Sequence, residues 1–390
     1  MTRAGKSAIE SAMESLAGRR AAAAAPSAAA SPAPEPATEA AAPEPPALHA
    51  PDRAPRRAPD DVHEGAPGRP PATPTAPLAA GRPAAAQAPA GPPAPLARMA
   101  GSARSPSPAP PSVPVDEQMV TQDGLKLHLR RWPAGPDARG TVQIVHGLGE
   151  HIGRYEHLAA ALNAAGWHVA GHDQRGHGRS EGPRGAIPHP LALLGDLAMV
   201  TDHLHGAGKR ILLGHSMGGL VAARFVAETL QAQVARFARD FDALVLSSPA
   251  LELGLSRGNR LLLSVLGRLA PSLRVSNGLQ PQWVCRDPAV VKAYTNDPLV
   301  HDRVTPRLVR FMVDNAALVQ AVAPRWRVPT LLLWAGEDLC VDPEGSRAFA
   351  AAAPAGVLHK RCYRKLYHEI FNEPEQADVL ADLTQWLRRF

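Results

Sequence analysis

The segment that most restricts the fold of this chain runs from residue 211 to residue 228. It contains an apolar run, the pentapeptide Gly-His-Ser-Met-Gly at 214–218, and a second apolar run with helical spacing. A short apolar run is typical of a buried parallel strand, so the segment predicts a strand, a tight turn with Ser216 at its apex, and a helix. Gly214 and Gly218 would let the strand and the helix approach, because a Cβ at either position would clash. We therefore predict a nucleophile elbow, with the Ser216 hydroxyl at the carboxyl edge of a sheet.

Composition divides the chain unevenly. Of its 41 prolines, 25 precede Val115, whereas all the aromatic residues (6 Trp, 4 Tyr and 7 Phe) follow it. Residues 1–115 are rich in Ala and Pro and carry too little apolar area to offset chain entropy, so we predict a disordered, low-complexity tail. Residues 116–390 are enough for one large α/β domain.

Charge and cysteine content exclude several classes of protein. The formal net charge is +6, but no Lys/Arg run exceeds two residues, which argues against a nucleic-acid partner and leaves open an attraction to anionic lipid surfaces. Cys285, Cys340 and Cys362 are an odd number without CxxC spacing, so neither a disulfide framework nor a zinc site is indicated. No apolar run reaches 18 residues. We expect a cytoplasmic protein, either free or peripherally bound to a membrane.

Strands and helices alternate along the folded part, which predicts a mostly parallel, doubly wound α/β sheet with a ligand edge at the strand carboxyl ends. An antiparallel hairpin is predicted at 117–132, around Asp123-Gly124. Further strands are predicted at 141–145, 167–173, 243–249, 330–334 and 362–366, and helices at 155–165, 191–204, 345–353 and 375–387.

The alternation stops at about 250–323, a leucine-rich stretch with several helical pieces. An insertion of this kind between strands predicts a lid above the carboxyl edge of the sheet. Its apolar face would line an acyl tunnel or rest on a membrane. Alternatively, individual leucines of this stretch only pack against the body of the domain.

Serine nucleophiles need a base, and in the predicted architecture the base lies downstream of the serine. Three histidines follow Ser216. His301 falls in the predicted lid and His359 at the start of the last predicted strand, the wrong end for the active edge. His368 follows the carboxyl end of that strand and is therefore the predicted general base and acid.

An orienting carboxylate is predicted at Asp338, which follows the preceding strand and lies 30 residues before His368. Glu337 and Asp342 are neighbouring alternatives. Two backbone N–H groups would hold the oxyanion: that of Met217 at the start of the elbow helix, and that of Leu148 in the loop after strand 141–145. An ordinary glycine-rich turn is the alternative interpretation of that loop. Neither a metal nor an organic cofactor is expected.

Four motifs together resemble one branch of a known superfamily. They are His-Gly-Leu-Gly-Glu-His-Ile-Gly-Arg-Tyr at 146–155, His-Asp-Gln-Arg-Gly-His-Gly-Arg-Ser-Glu-Gly at 172–182, Gly-His-Ser-Met-Gly-Gly at 214–219 and Asn-Asp-Pro-Leu at 296–299. From about Met119 to Arg388 the chain resembles the monoacylglycerol lipase and lysophospholipase branch of the α/β-hydrolases. The resemblance implies the α/β-hydrolase fold, with an eight-stranded sheet and a helical lid.

This resemblance also implies a substrate and a head-group pocket. The expected reaction is hydrolysis of a single acyl ester on a small polar head, such as a monoacylglycerol or a lysophospholipid, through a Ser-His-Asp acyl-enzyme. Glu150, Arg154 and His215 would surround the head group, although Glu150 and Arg154 could instead pair and hold the loop. A broad-specificity carboxylesterase, a serine peptidase, and a non-catalytic binding or scaffold protein remain alternatives. Acyl length and oligomeric state are left open.

Overall fold

The computed structural model describes residues 113–204 and 206–390. The predicted disordered tail lies almost entirely outside the described residues, at 1–112. The first strand of the described part begins at Val115, one residue before the predicted start of the folded domain.

The described residues form one eight-stranded sheet in the order β1-β2-β4-β3-β5-β6-β7-β8. The strands are β1 Val115–Val120, β2 Lys126–Trp132, β3 Gly140–Val145, β4 His168–His172, β5 Lys209–His215, β6 Ala243–Ser247, β7 Thr330–Ala335 and β8 Leu358–Tyr363. The pairs β1–β2 and β2–β4 are antiparallel and the remaining pairs are parallel. The predicted eight-stranded, mostly parallel sheet and its hairpin are confirmed.

Helices cover both faces of this sheet. They are α1 Glu156–Ala164, α2 Ala192–His203, α3 Ser216–Glu228, α4 Arg257–Leu269, α5 Pro288–Asn296, α6 Pro306–Val322, α7 Pro343–Ala352 and α8 Gln376–Leu387. Helices α2, α3, α6 and α7 pack on one face, and α1 and α8 pack on the other.

The central strands are apolar throughout because both faces are buried. Successive side chains of a strand point to opposite faces, so Leu212 and Leu244 join the core on the α3 side, whereas Ile211, Leu213 and Val245 join the core beneath α1 and α8. This three-layer packing aligns the carboxyl ends of six parallel strands at one edge. His215 at the end of β5 stands opposite Ser247 at the end of β6.

The predicted lid region contains α4, α5, α6 and a two-residue antiparallel strand pair, Val275–Ser276 with Arg303–Val304. Helix α6 packs directly against the elbow helix α3, and its Phe311, Met312 and Val319 belong to the same core. The last quarter of the predicted insertion is therefore part of the body of the domain.

Several predicted boundaries were wrong. The last strand is Leu358–Tyr363 rather than 362–366, so four residues separate it from His368. The helix predicted from residue 155 begins as a 3-10 turn at Ile152–Tyr155. The elbow helix begins at Ser216 itself, one residue before Met217, where its start was expected. Within the described residues, no helix combines the length and the apolar character needed to cross a bilayer.

Candidate active site

Ser216 occupies a strained turn between β5 and α3. Its backbone φ is 54°, in the left-handed region that residues other than glycine seldom adopt. The turn is this tight because glycines flank it: a Cβ on Gly214 would collide with the Gly218 carbonyl, and a Cβ on Gly218 would collide with the carbonyls of Val145 and His146. The local geometry is that of the predicted nucleophile elbow, and it holds the serine at the end of β5.

His368 and Asp338 are joined by a hydrogen bond of 2.7 Å between His368 Nδ1 and Asp338 Oδ2. Both side chains are almost fully buried. The other Asp338 oxygen, Oδ1, accepts the N–H groups of Cys340 at 2.9 Å and Val341 at 3.0 Å, which locks the carboxylate in place. Burial alone would lower the pKa of His368, but the neighbouring Asp338 carboxylate raises it above its ordinary value.

The neighbouring carboxylates serve other purposes. Asp342 Oδ1 accepts the N–H of Glu344 at 2.9 Å and so caps helix α7. Glu337 is exposed, and its backbone N–H donates to the Leu366 carbonyl. Of the three candidate acids, the structure pairs only Asp338 with His368.

One cavity of about 280 Å³ collects the predicted site residues. Ser216, His368, Leu148, Glu150 and His215 all line it. A second cavity of about 350 Å³ also reaches Ser216 and is mainly apolar, with walls that include Met217, Leu253, Leu279, Met312 and Val341. Strand carboxyl ends and lid residues thus enclose the serine between a polar space and an apolar space.

The loop after β3 is held by a buried histidine. His146 Nε2 accepts the N–H of Gln174 at 2.9 Å, so Nδ1 carries the proton and donates to the Gly147 carbonyl at 2.8 Å. Burial lowers the pKa of His146, which keeps the ring neutral. The Gln174 side-chain amide donates to the His146 carbonyl at 2.7 Å. These bonds set the path of the backbone through Leu148, facing the elbow.

A second network fixes the same loop. Glu150 Oε1 accepts the Gly147 N–H at 2.6 Å and the Tyr155 hydroxyl at 2.8 Å, and Glu150 Oε2 accepts from Arg154 at 3.0 Å. Arg154 also forms a two-pronged pair with Glu369, at 2.5 and 2.7 Å. Burial would raise the pKa of Glu150, but the Arg154 charge holds it below its usual range. Glu150 and Arg154 therefore pair with each other, and Glu150 is the member of the pair that lines the cavity with Ser216.

Glu369 was not among the site residues predicted from the sequence, although it is adjacent to His368. Its carboxylate is buried, pairs with Arg154 and accepts the Asn372 side-chain amide at 2.8 Å. An acidic residue directly after a candidate base is a sequence signal that could have identified Glu369.

The His215 ring packs against the His368 ring, with their centroids 4.7 Å apart. Burial together with the nearby His368 lowers the pKa of His215 to about 4.

Asp338, Cys340 and His368 bring potential metal ligands within 4.8 Å of one another. However, the carboxylate and His368 Nδ1 are already bonded to each other, and burial raises the pKa of the Cys340 thiol well above its ordinary value, which keeps the thiol protonated. The donor set fits proton transfer between an acid and an imidazole better than it fits metal binding.

Strand order, elbow and the buried Asp-His pair define an α/β-hydrolase with serine at the nucleophile position. Residues 136–375 match the family model Hydrolase_4, described as "Serine aminopeptidase, S33". The monoacylglycerol lipase of Mycolicibacterium smegmatis is 36% identical over 270 residues, which cover 68% of this chain and 93% of that protein. Phospholipase YtpA of Bacillus subtilis is 33% identical over 248 residues, covering 61% and 91%.

Among solved structures, the monoacylglycerol lipase of Paleococcus ferrophilus matches with a TM-score of 0.59 and 37% identity, covering 66% of this chain and 98% of that one. The chain belongs to the Hydrolase_4 family and, within the α/β-hydrolases, to its monoglyceride lipase branch. The resemblance predicted from the four sequence motifs is confirmed.

Proposed function

We propose that this chain, a carboxylic ester hydrolase, cleaves the acyl ester of monoacylglycerol or a similar single-chain lipid, with Ser216, His368 and Asp338 as its catalytic triad. The observation that carries the proposal is the 2.7 Å bond between Asp338 and His368 in a buried site whose cavity also contains Ser216. Relatives named as lipases and phospholipases support a lipid ester as the substrate.

In the proposed reaction His368 takes the Ser216 proton as the oxygen attacks the ester carbon. The carbonyl oxygen becomes an oxyanion that accepts the N–H groups of Leu148 and Met217. Met217 lies in the first turn of α3, where the N–H groups have no carbonyl partner within the helix. His368 then protonates the departing alcohol, which leaves the acyl group on Ser216. Water attacks this acyl-enzyme while His368 takes its proton, and His368 returns the proton to Ser216 as the fatty acid leaves.

The two cavities suggest where each part of the substrate lies. The apolar space beside Leu253 and Met312 would hold the acyl chain, and the polar space beside Glu150 and His215 would hold the head group, with Arg154 acting through its pair with Glu150. His215 is neutral at pH 7 because of its lowered pKa, so it can offer a hydrogen bond without a charge.

The lid would deliver lipid to this site. Leu261, Val265 and Leu269 are spaced four residues apart on α4 and are 69%, 41% and 67% exposed. Residues four apart share one helix face, so α4 presents an apolar stripe that can rest on a lipid surface.

A substrate panel tests the proposal. The purified full chain and its Ser216→Ala variant are assayed on a monoacylglycerol, lysophosphatidylcholine, p-nitrophenyl esters and aminoacyl-arylamides. We expect turnover of the monoacylglycerol that falls by about 10⁵ to 10⁶ in the variant, with an unchanged melting temperature. Cleavage of arylamides without ester cleavage would indicate a peptidase, and normal ester cleavage by the variant would refute the triad.

A further inference from the structure

Another, more open recess lies outside the two cavities that contain Ser216. It is a groove at the edge of the lid, and its walls include Arg184, Arg274, Arg303, His301 and Asp302. Burial and the nearby Arg184 lower the pKa of His301 to about 4, so that ring adds no charge at neutral pH. Three arginines and a single acidic residue therefore line the groove.

The arginines of the groove are incompletely neutralised. Arg303 Nε lies 3.1 Å from Asp302 Oδ1. Arg184 donates Nη2 to the Gly178 carbonyl at 2.7 Å, while its Nη1 has no hydrogen-bond partner within the described part of the chain. Among the described residues, no carboxylate pairs with Arg184 or Arg274. The groove thus carries an excess of positive charge.

Rigid backbone positions these side chains. Arg303 belongs to the two-residue strand that pairs with Val275–Ser276, directly after Arg274. The Thr305 N–H donates to the Gly185 carbonyl at 3.0 Å and so ties that strand to the residue after Arg184. A Cβ on Gly185 would collide with the Arg303 carbonyl. The three arginines therefore come from three chain segments that are held in contact by the backbone.

The groove adjoins the apolar stripe of α4. Leu273, one of the groove residues, is 46% exposed and lies in the turn that follows α4, four residues after Leu269 at the end of the stripe. On its other side, the Asn277 N–H donates to the Asp302 carbonyl at 2.5 Å, and Asn277 lines the cavity beside Ser216. Exposed apolar side chains next to unpaired arginines are typical of surfaces that bind anionic membranes.

We infer that the groove of Arg184, Arg274 and Arg303 binds the phosphate groups of anionic phospholipids in a bilayer, while the α4 stripe enters the acyl boundary. Guanidinium groups suit phosphate oxygens because they offer paired donors in one plane. Anchoring at this point would bring the cavity wall at Asn277 close to the lipid surface. The inference concerns binding to the bilayer, and it does not depend on which ester is cleaved.

The test is vesicle co-sedimentation of the full chain with phosphatidylcholine alone or with added phosphatidylglycerol. The variant R274Q/R303Q removes two groove charges. The matched control R310Q/R347Q removes two exposed arginines that do not line the groove. We expect the wild type and the control to prefer the anionic vesicles, and the groove variant to bind them about 25-fold more weakly, because each arginine near such a surface contributes about fivefold.

Hydrolysis of a soluble short-chain p-nitrophenyl ester should be the same in all three proteins, which separates this inference from the proposed function. Equal binding to both vesicle types by the wild type would overturn the inference, as would an equal loss in the control. Displacement of the wild type from anionic vesicles by millimolar inorganic phosphate, at constant ionic strength, would assign the groove to free phosphate and overturn a bilayer ligand.

Discussion

At Ser216 the chain accepts a backbone conformation that costs about 1–3 kcal/mol in a residue other than glycine. The φ of 54° persists because the flanking structure leaves no alternative: Gly214 and Gly218 touch each other's backbone, and the Ser216 carbonyl accepts the Ala250 N–H at 3.0 Å. The strain places the hydroxyl clear of β5, in the cavity it shares with His368.

The pH profile should respond to Asp338→Asn. The catalytic form of His368 is neutral, so wild-type kcat/KM should fall as the pH drops through its raised pKa. Removing the carboxylate charge should move this acid limb to lower pH, while kcat falls about 10⁴-fold through loss of the correct tautomer. A p-nitrophenyl ester assay from pH 5 to 9 measures both effects.

Asp342→Asn is the matched control, since Asp342 caps α7 and does not contact His368. Its pH profile should equal that of the wild type. If instead Asp342→Asn moved the acid limb and Asp338→Asn left it in place, the assignment of the orienting acid would be wrong.

Arg154→Met should destabilise the fold by about 3–5 kcal/mol, because it leaves the buried carboxylates of Glu150 and Glu369 without their counter-ion. Adding Glu369→Gln should recover part of this loss by removing one unpaired charge. Urea denaturation of the wild type, the single variant and the double variant measures the free energies of unfolding. A single variant as stable as the wild type would show that the network contributes little.

At the scale of elements, α3 performs two tasks. Its first residue is Ser216, and its later residues pack in the core that contains α2, α6 and the sheet. Every residue of α3 is buried. The position of the nucleophile is therefore set by the packing of a whole helix between β5 and α6, and the active site inherits the rigidity of the core.

Gly218→Ala tests this close approach. The added methyl would meet the carbonyls of Val145 and His146, so we expect a loss of at least about 3 kcal/mol in unfolding free energy or a failure to fold. Gly267→Ala in α4 is the control: its Cβ would have nothing within 4 Å, and alanine favours a helix by about 1 kcal/mol. A melting temperature of Gly218→Ala equal to or above that of Gly267→Ala would contradict the packing argument.

At the scale of the whole molecule, the topology of the sheet brings the residues of the candidate site together. Ser216, Asp338 and His368 are up to 152 positions apart in sequence, yet they follow β5, β7 and β8, whose carboxyl ends lie at one edge. Parallel strands connected by helices make such convergence systematic, because every strand in the series ends on the same side. The lid then closes that edge with Leu253, Asn277 and Leu279.

Deleting residues 1–112 should leave this domain intact. That segment contains no aromatic residue and is rich in Ala and Pro, so it cannot contribute a core of its own. We expect the melting temperature to change by less than about 2 °C, which corresponds to under ~1 kcal/mol for a domain of this size. A drop of about 10 °C in differential scanning calorimetry, several times that expected limit, would show that the tail stabilises the domain.

Local patterns were sufficient for the elbow, the positions of most strands along the chain and the family. Each depends on residues close together in sequence: glycines two positions from a serine, apolar runs of strand length, and motifs such as 146–155. Boundaries were less predictable, because the last strand extends over His359, Lys360 and Arg361, polar residues that pair with Leu331–Leu333 of β7. The ends of an edge strand are set by the neighbouring strand to which it is hydrogen-bonded. The local sequence pattern contains no information about that pairing.

The sequence by itself determined the chemistry available to this protein: a serine on a tight turn, with one histidine and a choice of acids after the later strands. Only the tertiary structure decided which acid bonds His368, that Glu369 joins Glu150 through Arg154, that α6 belongs to the body, and that three distant arginines share one groove. The physical reason is the distance along the chain over which each kind of interaction acts. Backbone strain and hydrophobic periodicity act between near neighbours, whereas a buried charge finds its counter-ion only after the layers have packed.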